Sequence, residues 1–446
     1  MRKKVLSLFT FILVLLLAAA PCSTAFAAEY QPTEKIYAEN YMLVSLDDPS
    51  YPVICAKNAD DKVYPASLTK IVTAMVVLDN VENLDSETTV SQTAFNSILG
   101  TGAQTANLQV GDHLSVRQLL YLTMVQSACD ACQVLAEYVA GGFDEFVAMM
   151  NEWAAAAGCT NTHFTNASGL HDENHYTTVN DLRLITLKAL ENKTFKKIAE
   201  TKTYTYAGQT FYHSNQMLHA SYLSYYYEYA KGIKTGSTSE AGYCVITTAS
   251  KDGYNYLAIV CNSPRIDYNN DGYVEKCSFI DAATLFKWAF SSLSYKTVIK
   301  QGDFVCDVPV KNGKGTDTLQ LVAKENKSAT VLASLDPSMV MIRPTDATVS
   351  EAVAPVQQGD VLGAAEIIYG DQVVATVDLV AAQTVEVSRL LQIVNGLRDL
   401  LSNPIAIVVL VVIILAVIGL VVYTVLYNMR KRKTNALRRS HRDEEE

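Results

Sequence analysis

Positive charge is in short supply in this chain: 36 Lys and Arg stand against 46 Asp and Glu, for a net charge of −10 over 446 residues. What there is concentrates at the ends. Arg2, Lys3 and Lys4 open the chain, and seven basic residues against four acidic ones follow from Arg430. Setting both ends aside leaves roughly −16 on the residues between them. That deficit argues against nucleic acid or anionic lipid as a ligand. Low-complexity stretches and sequence repeats are absent. Cysteine is present, nine in all and eight beyond the first 27 residues, but the spacing is irregular. A small disulfide-framed scaffold is therefore excluded. Charge is missing altogether from Ile405 to Tyr427.

The ends place the protein. Three basic residues, an apolar run from Val5 to Ala20 and the small-x-small site Ala25-Phe26-Ala27 read as a secretory leader over 1–27. Lipidation at Cys22 is disfavoured by Pro21 just before it. Residues 405–427 are long enough to cross ~30 Å of hydrocarbon. Arg430, Lys431, Arg432 and Lys433 follow at once, so the tail 428–446 is expected on the cytoplasmic side. The chain thus reads as a single-pass protein of the cell membrane with its bulk outside. The exported part is long enough for two domains.

Two motifs carry chemistry. Ser67-Leu68-Thr69-Lys70 is the one S-x-x-K in the chain, and Lys234-Thr235-Gly236 the one K-T-G. A helix over 66–78, with Pro65 at its start, puts residues i and i+3 on one face and the Lys70 amine beside the Ser67 hydroxyl. In this order on an exported chain, the two motifs point to acyl transfer by a nucleophilic serine with lysine as its base.

Around them, 41–46 and 52–56 read as strands and 115–125, 130–140, 143–157 and 178–191 as helices. Strands over 242–249 and 254–262 flank an Asp252-Gly253 turn, and a helix over 279–290 follows. The order suggests an α+β domain over 30–294, an antiparallel sheet flanked by helices. From 296 to 385 strands are short and turns frequent, as in a small β-sandwich. Residues 386–403 form an amphipathic juxtamembrane segment. A two-residue turn at Asp252-Gly253 also predicts that Cys244 and Cys261 face each other as a non-hydrogen-bonded pair, with Cα atoms ~4.5 Å apart.

By its motifs the chain resembles the low-molecular-mass penicillin-binding proteins that act as D-alanyl-D-alanine carboxypeptidases. Pro65-Ala66-Ser67-Leu68-Thr69-Lys70 is similar to their P-A-S-x-T-K, and Asn166-Ala167-Ser168-Gly169-Leu170 to their N-P-x-G-L. Thr177-Thr178 with Asp181-Leu182, Gly232 to Gly236, and Ala241-Gly242-Tyr243 also match, as does Ala354-Pro355-Val356 in the small domain. The resemblance implies a β-lactamase/transpeptidase-like fold and an acyl-enzyme on Ser67. It implies Lys70 as base and Ser127 as proton relay, with Lys234, Thr235, Gly236 and Ser237 binding the substrate. Peptidoglycan stem peptides are the implied substrate, β-lactams the inhibitors, and no metal or organic cofactor is required. The family's middle motif S-x-N appears here as Ser127-Ala128-Cys129, and a thiol is a weaker hydrogen-bonding group than an amide.

Two other functions compete. A serine β-lactamase of class A needs a glutamate in an E-x-x-L-N segment, and none is found. A weakly active penicillin-binding scaffold is permitted by the missing Asn. Cys129-x-x-Cys132 admits a redox pair, although no thioredoxin-like context surrounds it. Tyr225, Tyr226, Tyr227 and Tyr229 read as strand and loop residues around the fold rather than a substrate groove, and His171 as structural. Asp267 to Gly272 matches the start of a calcium loop, but position 12 is Ser278 where a bidentate Glu belongs, so it reads as a plain polar turn.

Overall fold

The computed structural model describes residues 31–442 except 49, 337–338 and 370–371. The leader expected at 1–27 lies outside the described residues. The chain divides into two compact units, the first running to Lys296 and taking in Ser328–Val340 and Tyr369–Val374, the second holding the remainder.

The first unit is built on five antiparallel strands: β1 (Asn40–Ser45), β2 (Val53–Lys57), β3 (Ala230–Thr238), β4 (Gly242–Lys251) and β5 (Tyr254–Ser263). Their order is β2-β1-β5-β4-β3, so β3 is an edge. The β4–β5 hairpin turns at Asp252 (φ 51°) and Gly253 (φ 87°), the double left-handed geometry that suits strand twist. Lys251 pairs with Tyr254, and the register holds out to Val245 opposite Val260.

Beyond that point the register slips, and Tyr243 faces Ser263. Cys261 and Asn262 (φ 49°) together oppose Cys244, a bulge that corrects the expected regular Cys244–Cys261 pair. Both buried thiols are free, and Cys244 Sγ donates to the Ala241 carbonyl (3.4 Å).

The main helices of this unit are α1 (Lys70–Asn80), α2 (Cys129–Ala140), α3 (Phe143–Ala156), α4 (Val179–Leu190) and α5 (Cys277–Ser292). Every residue from Lys70 to Val77 is buried, so α1 is a central helix enclosed on all sides, with α2, α3 and α4 against it. Helix α5 covers β4 and β5. The helix expected over 66–78 instead begins as a 3₁₀ turn, Ala66–Thr69, with Ala66 at φ 47°. The helix expected over 115–125 ends at Tyr121 and widens into a π turn, Leu122–Gln126. Short elements that carry no clear period were missed, among them the helix Lys193–Ala199 and the hairpin Thr203–Tyr206 with Gln209–Tyr212.

Six strands, lying mostly in the second unit, form one sheet, ordered 340–344, 361–369, 372–381, 318–323, 304–311 and 352–353. Leu319, Leu321, Ala365, Ile367 and Leu379 are buried in it. Helix Arg389–Ser402 buries none of its residues, and is tied to this sheet by Lys311–Asp399 (2.8 Å) and by Asn395 Nδ2 donating to Asn312 Oδ1 (2.9 Å). A helix from Pro404 to Arg442 follows. Its apolar stretch, Pro404–Lys431, is 28 residues, about 42 Å at helical rise and ample for a bilayer core.

Candidate active site

The S-x-x-K serine lies in the 3₁₀ turn at the head of α1, and three neighbours shape that turn. Asn166 Oδ1 accepts from the backbone N–H groups of Ser168, Gly169 and Leu170 (3.1, 2.7 and 3.1 Å), winding the Asn166–Leu170 segment into a tight loop. Gly169 (φ 80°) then approaches the turn so closely that a Cβ would sit 1.9 Å from the Ala66 carbonyl oxygen. On the other side Gly236 of β3 leaves room for Pro65 O and the Ser67 amide, 2.8 and 3.1 Å from a Cβ built there.

His175 supports the turn from below. Its Nδ1 accepts from the Thr165 N–H (3.0 Å), so Nε2 carries the proton and donates to Thr69 Oγ1 (2.7 Å), which donates to Ala66 O (2.8 Å). Burial pulls the His175 imidazole down to about 4, so it is neutral in this role at neutral pH.

Two lysines with no solvent exposure face each other across the site. Lys70 Nζ donates to Ser67 Oγ (2.8 Å), the Ser168 carbonyl (2.5 Å) and, weakly, Cys129 Sγ (3.4 Å). Lys234 Nζ donates to Ser127 Oγ (2.9 Å) and the Thr235 carbonyl (3.0 Å). Burial, and after it the charge of Lys70, pushes the Lys234 amine well below the usual lysine range. Ser127 ends the π turn at φ 64°, a left-handed kink that turns its hydroxyl toward Lys234.

Cys129 heads α2, and its N–H donates to Gln104 O (2.8 Å). The next residue, Asp130, accepts from Ala106 N with both oxygens (3.0 Å each) and from Leu108 N (3.0 Å), pinning the loop that carries Gln104.

Ser67, Ser127, Cys129, Thr235, Gly236 and Ser237 line one cleft of about 1140 Å³, large enough for a peptide rather than a small metabolite. The sequence-predicted residues are therefore brought together, with Lys70 and Lys234 beneath the floor. Others were missed. Ser214 accepts from Thr235 Oγ1 (2.7 Å), and Gln104 and Ser168 line the same cleft. His171, read as structural, also lines it and packs edge-on to Tyr64. None of the four tyrosines lines the cleft: Tyr227 stacks on Phe286, the Tyr225 hydroxyl accepts from Lys276 N (2.9 Å), and Tyr226 is exposed. Cys132 Sγ is directed at Ala128 O (3.2 Å), burial raises its thiol to about 12, and it and Cys129 are free thiols.

Residues 25–265 match the family model described as D-alanyl-D-alanine carboxypeptidase. The chain belongs to that family. Residues 293–387 match the C-terminal domain of penicillin-binding protein 5, so the carboxypeptidase carries the family's β-domain after its catalytic one. It is 26% identical over 352 residues to the D-alanyl-D-alanine carboxypeptidase DacF of Bacillus subtilis (strain 168), covering 78% of this chain and 86% of that one. To DacC of Escherichia coli (strain K12) it is 29% identical over 377 residues, with 81% and 88% covered. Penicillin-binding protein 5 from Haemophilus influenzae shares its fold, with a TM-score of 0.61 at 24% identity over 80% of this chain and 99% of that one. The protein is a serine-type D-alanyl-D-alanine carboxypeptidase, in a family that acts on peptidoglycan peptides and binds β-lactams.

Proposed function

We propose that Ser67 is the nucleophile and that the substrate is a peptidoglycan stem pentapeptide ending in D-alanyl-D-alanine. The observation that carries this reading is the double pairing of Lys70 with Ser67 and of Lys234 with Ser127 at the floor of one cleft. As the Ser67 oxygen bonds to the carbonyl carbon of the penultimate D-alanine, its proton passes to Lys70, which takes it as the free amine. Ser127 conveys a proton to the leaving nitrogen, the C–N bond breaks, and free D-alanine departs. Water then attacks the ester and restores the Ser67 hydroxyl. The N–H groups of Ser67 and Ser237 face the oxyanion.

Lys234, Thr235 and Gly236 receive the terminal carboxylate, with Ser214 orienting the Thr235 hydroxyl. Burial and the neighbouring Lys70 charge disfavour the charged Lys234 amine, and an incoming carboxylate restores it, which favours substrates with a free C-terminus. Cys129 stands beside Lys70 where the family pattern has an amide side chain.

The apolar helix after Pro404 serves as a single membrane anchor. Residues 30–294 form the catalytic domain, 296–385 the β-domain and 386–403 the juxtamembrane segment. The leader 1–27 is removed, the span is 405–427, and the tail 428–446 is cytoplasmic by its basic flank. The test is incubation of the detergent-solubilised chain with a stem pentapeptide. D-Alanine release is expected, and Ser67→Ala should abolish it. Release that persists in Ser67→Ala overturns the reading.

A further inference from the structure

The polar turn after β5 holds more than its sequence suggests. A two-stranded ribbon, Arg265–Ile266 with Glu275–Lys276, closes the loop between them, Ile266 facing Glu275. Within it the carboxylates of Asp267, Asp271 and Glu275 each offer an oxygen, all within 4.8 Å of one another. Among the described residues no Lys or Arg forms an ion pair with any of the three.

Glu275 decides the matter. It is only 7% exposed, and its buried Oε2 has no hydrogen-bond partner. A buried carboxylate oxygen without a donor is costly, more so beside two other acids. The strand pairing nevertheless fixes Glu275 in place and turns it toward the other two.

We propose that Asp267, Asn269, Asp271 and Glu275 form a calcium site. Glu275, the ninth residue of the loop, takes the place of the acid missing at Ser278, the twelfth. All the ligands are hard oxygens, which disfavours zinc and other N/S-seeking metals. Oxygens within 4.8 Å of one another can share one cation, and an irregular set of side-chain oxygens suits calcium's flexible coordination better than magnesium's strict octahedron. The Asp267 carboxylate already accepts from Asp271 N (3.1 Å) and Gly272 N (2.9 Å), so the loop is shaped before the ion arrives. The ion would lock the ribbon that leads directly into Lys276, Ser278 and Phe279 on the wall of the cleft. The site requires none of the catalytic assignments above.

Calorimetry on the full chain in detergent, stripped with a chelator, tests it with calcium chloride and in parallel magnesium chloride. One saturable calcium site is expected, with a Kd of roughly 10⁻⁴ M as in other extracellular modules, and much weaker magnesium binding. Asp271→Asn, on the exposed part of the loop, and Glu275→Gln should each weaken calcium at least tenfold. Thermal melts add a sign reversal. In chelator Glu275→Gln should melt at or above wild type, because the unpaired buried charge is gone. In calcium wild type should melt higher. Absence of saturable binding up to about 10 mM calcium, or equal affinity in both variants, overturns the proposal, as does magnesium binding of equal strength.

Discussion

Replacing Cys129 by asparagine tests the middle of the site. The Lys70 amine has two strong partners, Ser67 Oγ at 2.8 Å and Ser168 O at 2.5 Å, and one weak one, Cys129 Sγ at 3.4 Å. An asparagine carbonyl would replace the sulfur as a proper acceptor, and its NH₂ would extend into the cleft that Cys129 already lines. One neutral hydrogen bond is worth about 1 kcal/mol net, about fivefold in rate if it forms fully in the transition state. Cys129→Asn should therefore acylate with fluorescent penicillin about two- to fivefold faster than wild type. Reductant should leave both rates unchanged, because Cys132 Sγ engages the Ala128 carbonyl instead of Cys129. A tenfold or greater loss in a variant with wild-type Tm would refute the role given to position 129. A reductant effect removed by Cys132→Ser would show that the two thiols form a redox pair after all.

Gly169→Ala should destabilise the turn that holds Ser67, because its Cβ would fall 1.9 Å from Ala66 O at a left-handed φ of 80°. A lower Tm together with strongly reduced penicillin labelling is expected, and wild-type labelling would contradict the packing argument. Ser214→Ala should lower kcat/KM for the pentapeptide several-fold by freeing the Thr235 hydroxyl, about 1 kcal/mol; an unchanged value would remove Ser214 from the site. Stability should fall on acidification from pH 6.5 toward 4. His175 sits at about 4 when folded and near 6.5 when unfolded, so in that window only the unfolded chain takes up the proton. His175 alone then costs about 3 kcal/mol by pH 4, with buried His213, held near 3, acting in the same direction. A Tm that stays flat across this range would contradict the neutral, buried assignment.

Much of the molecule is legible in the sequence because its main elements have clear periods and turns. The Asp252-Gly253 hairpin, the uninterrupted apolar run after Pro404 and the helices over 130–140 and 143–157 carry strong local signals. The two lysine motifs also announce themselves, because spacing along one turn dictates where Lys70 lies relative to Ser67. What escaped depends on contacts between distant segments. The bulge at Cys261–Asn262 follows from no local pattern, and neither does the left-handed Ser127 that ends the π turn. Ser214 and Gln104 belong to stretches without a motif and acquire a role only when β3 and α2 come beside them. Glu275 is one acid among many in the sequence, and only burial beside Asp267 and Asp271 singles it out.

The central claim is that Ser67 carries the acyl group, and the most direct measurement is peptide mapping of the protein after reaction with penicillin. A single long-lived penicilloyl adduct on the peptide containing Ser67 is predicted, absent in Ser67→Ala and strongly reduced in Lys70→Ala, because nucleophile and base act as a unit. An adduct on another residue, rapid turnover of the drug as in a β-lactamase, or no adduct on a folded protein would contradict the account.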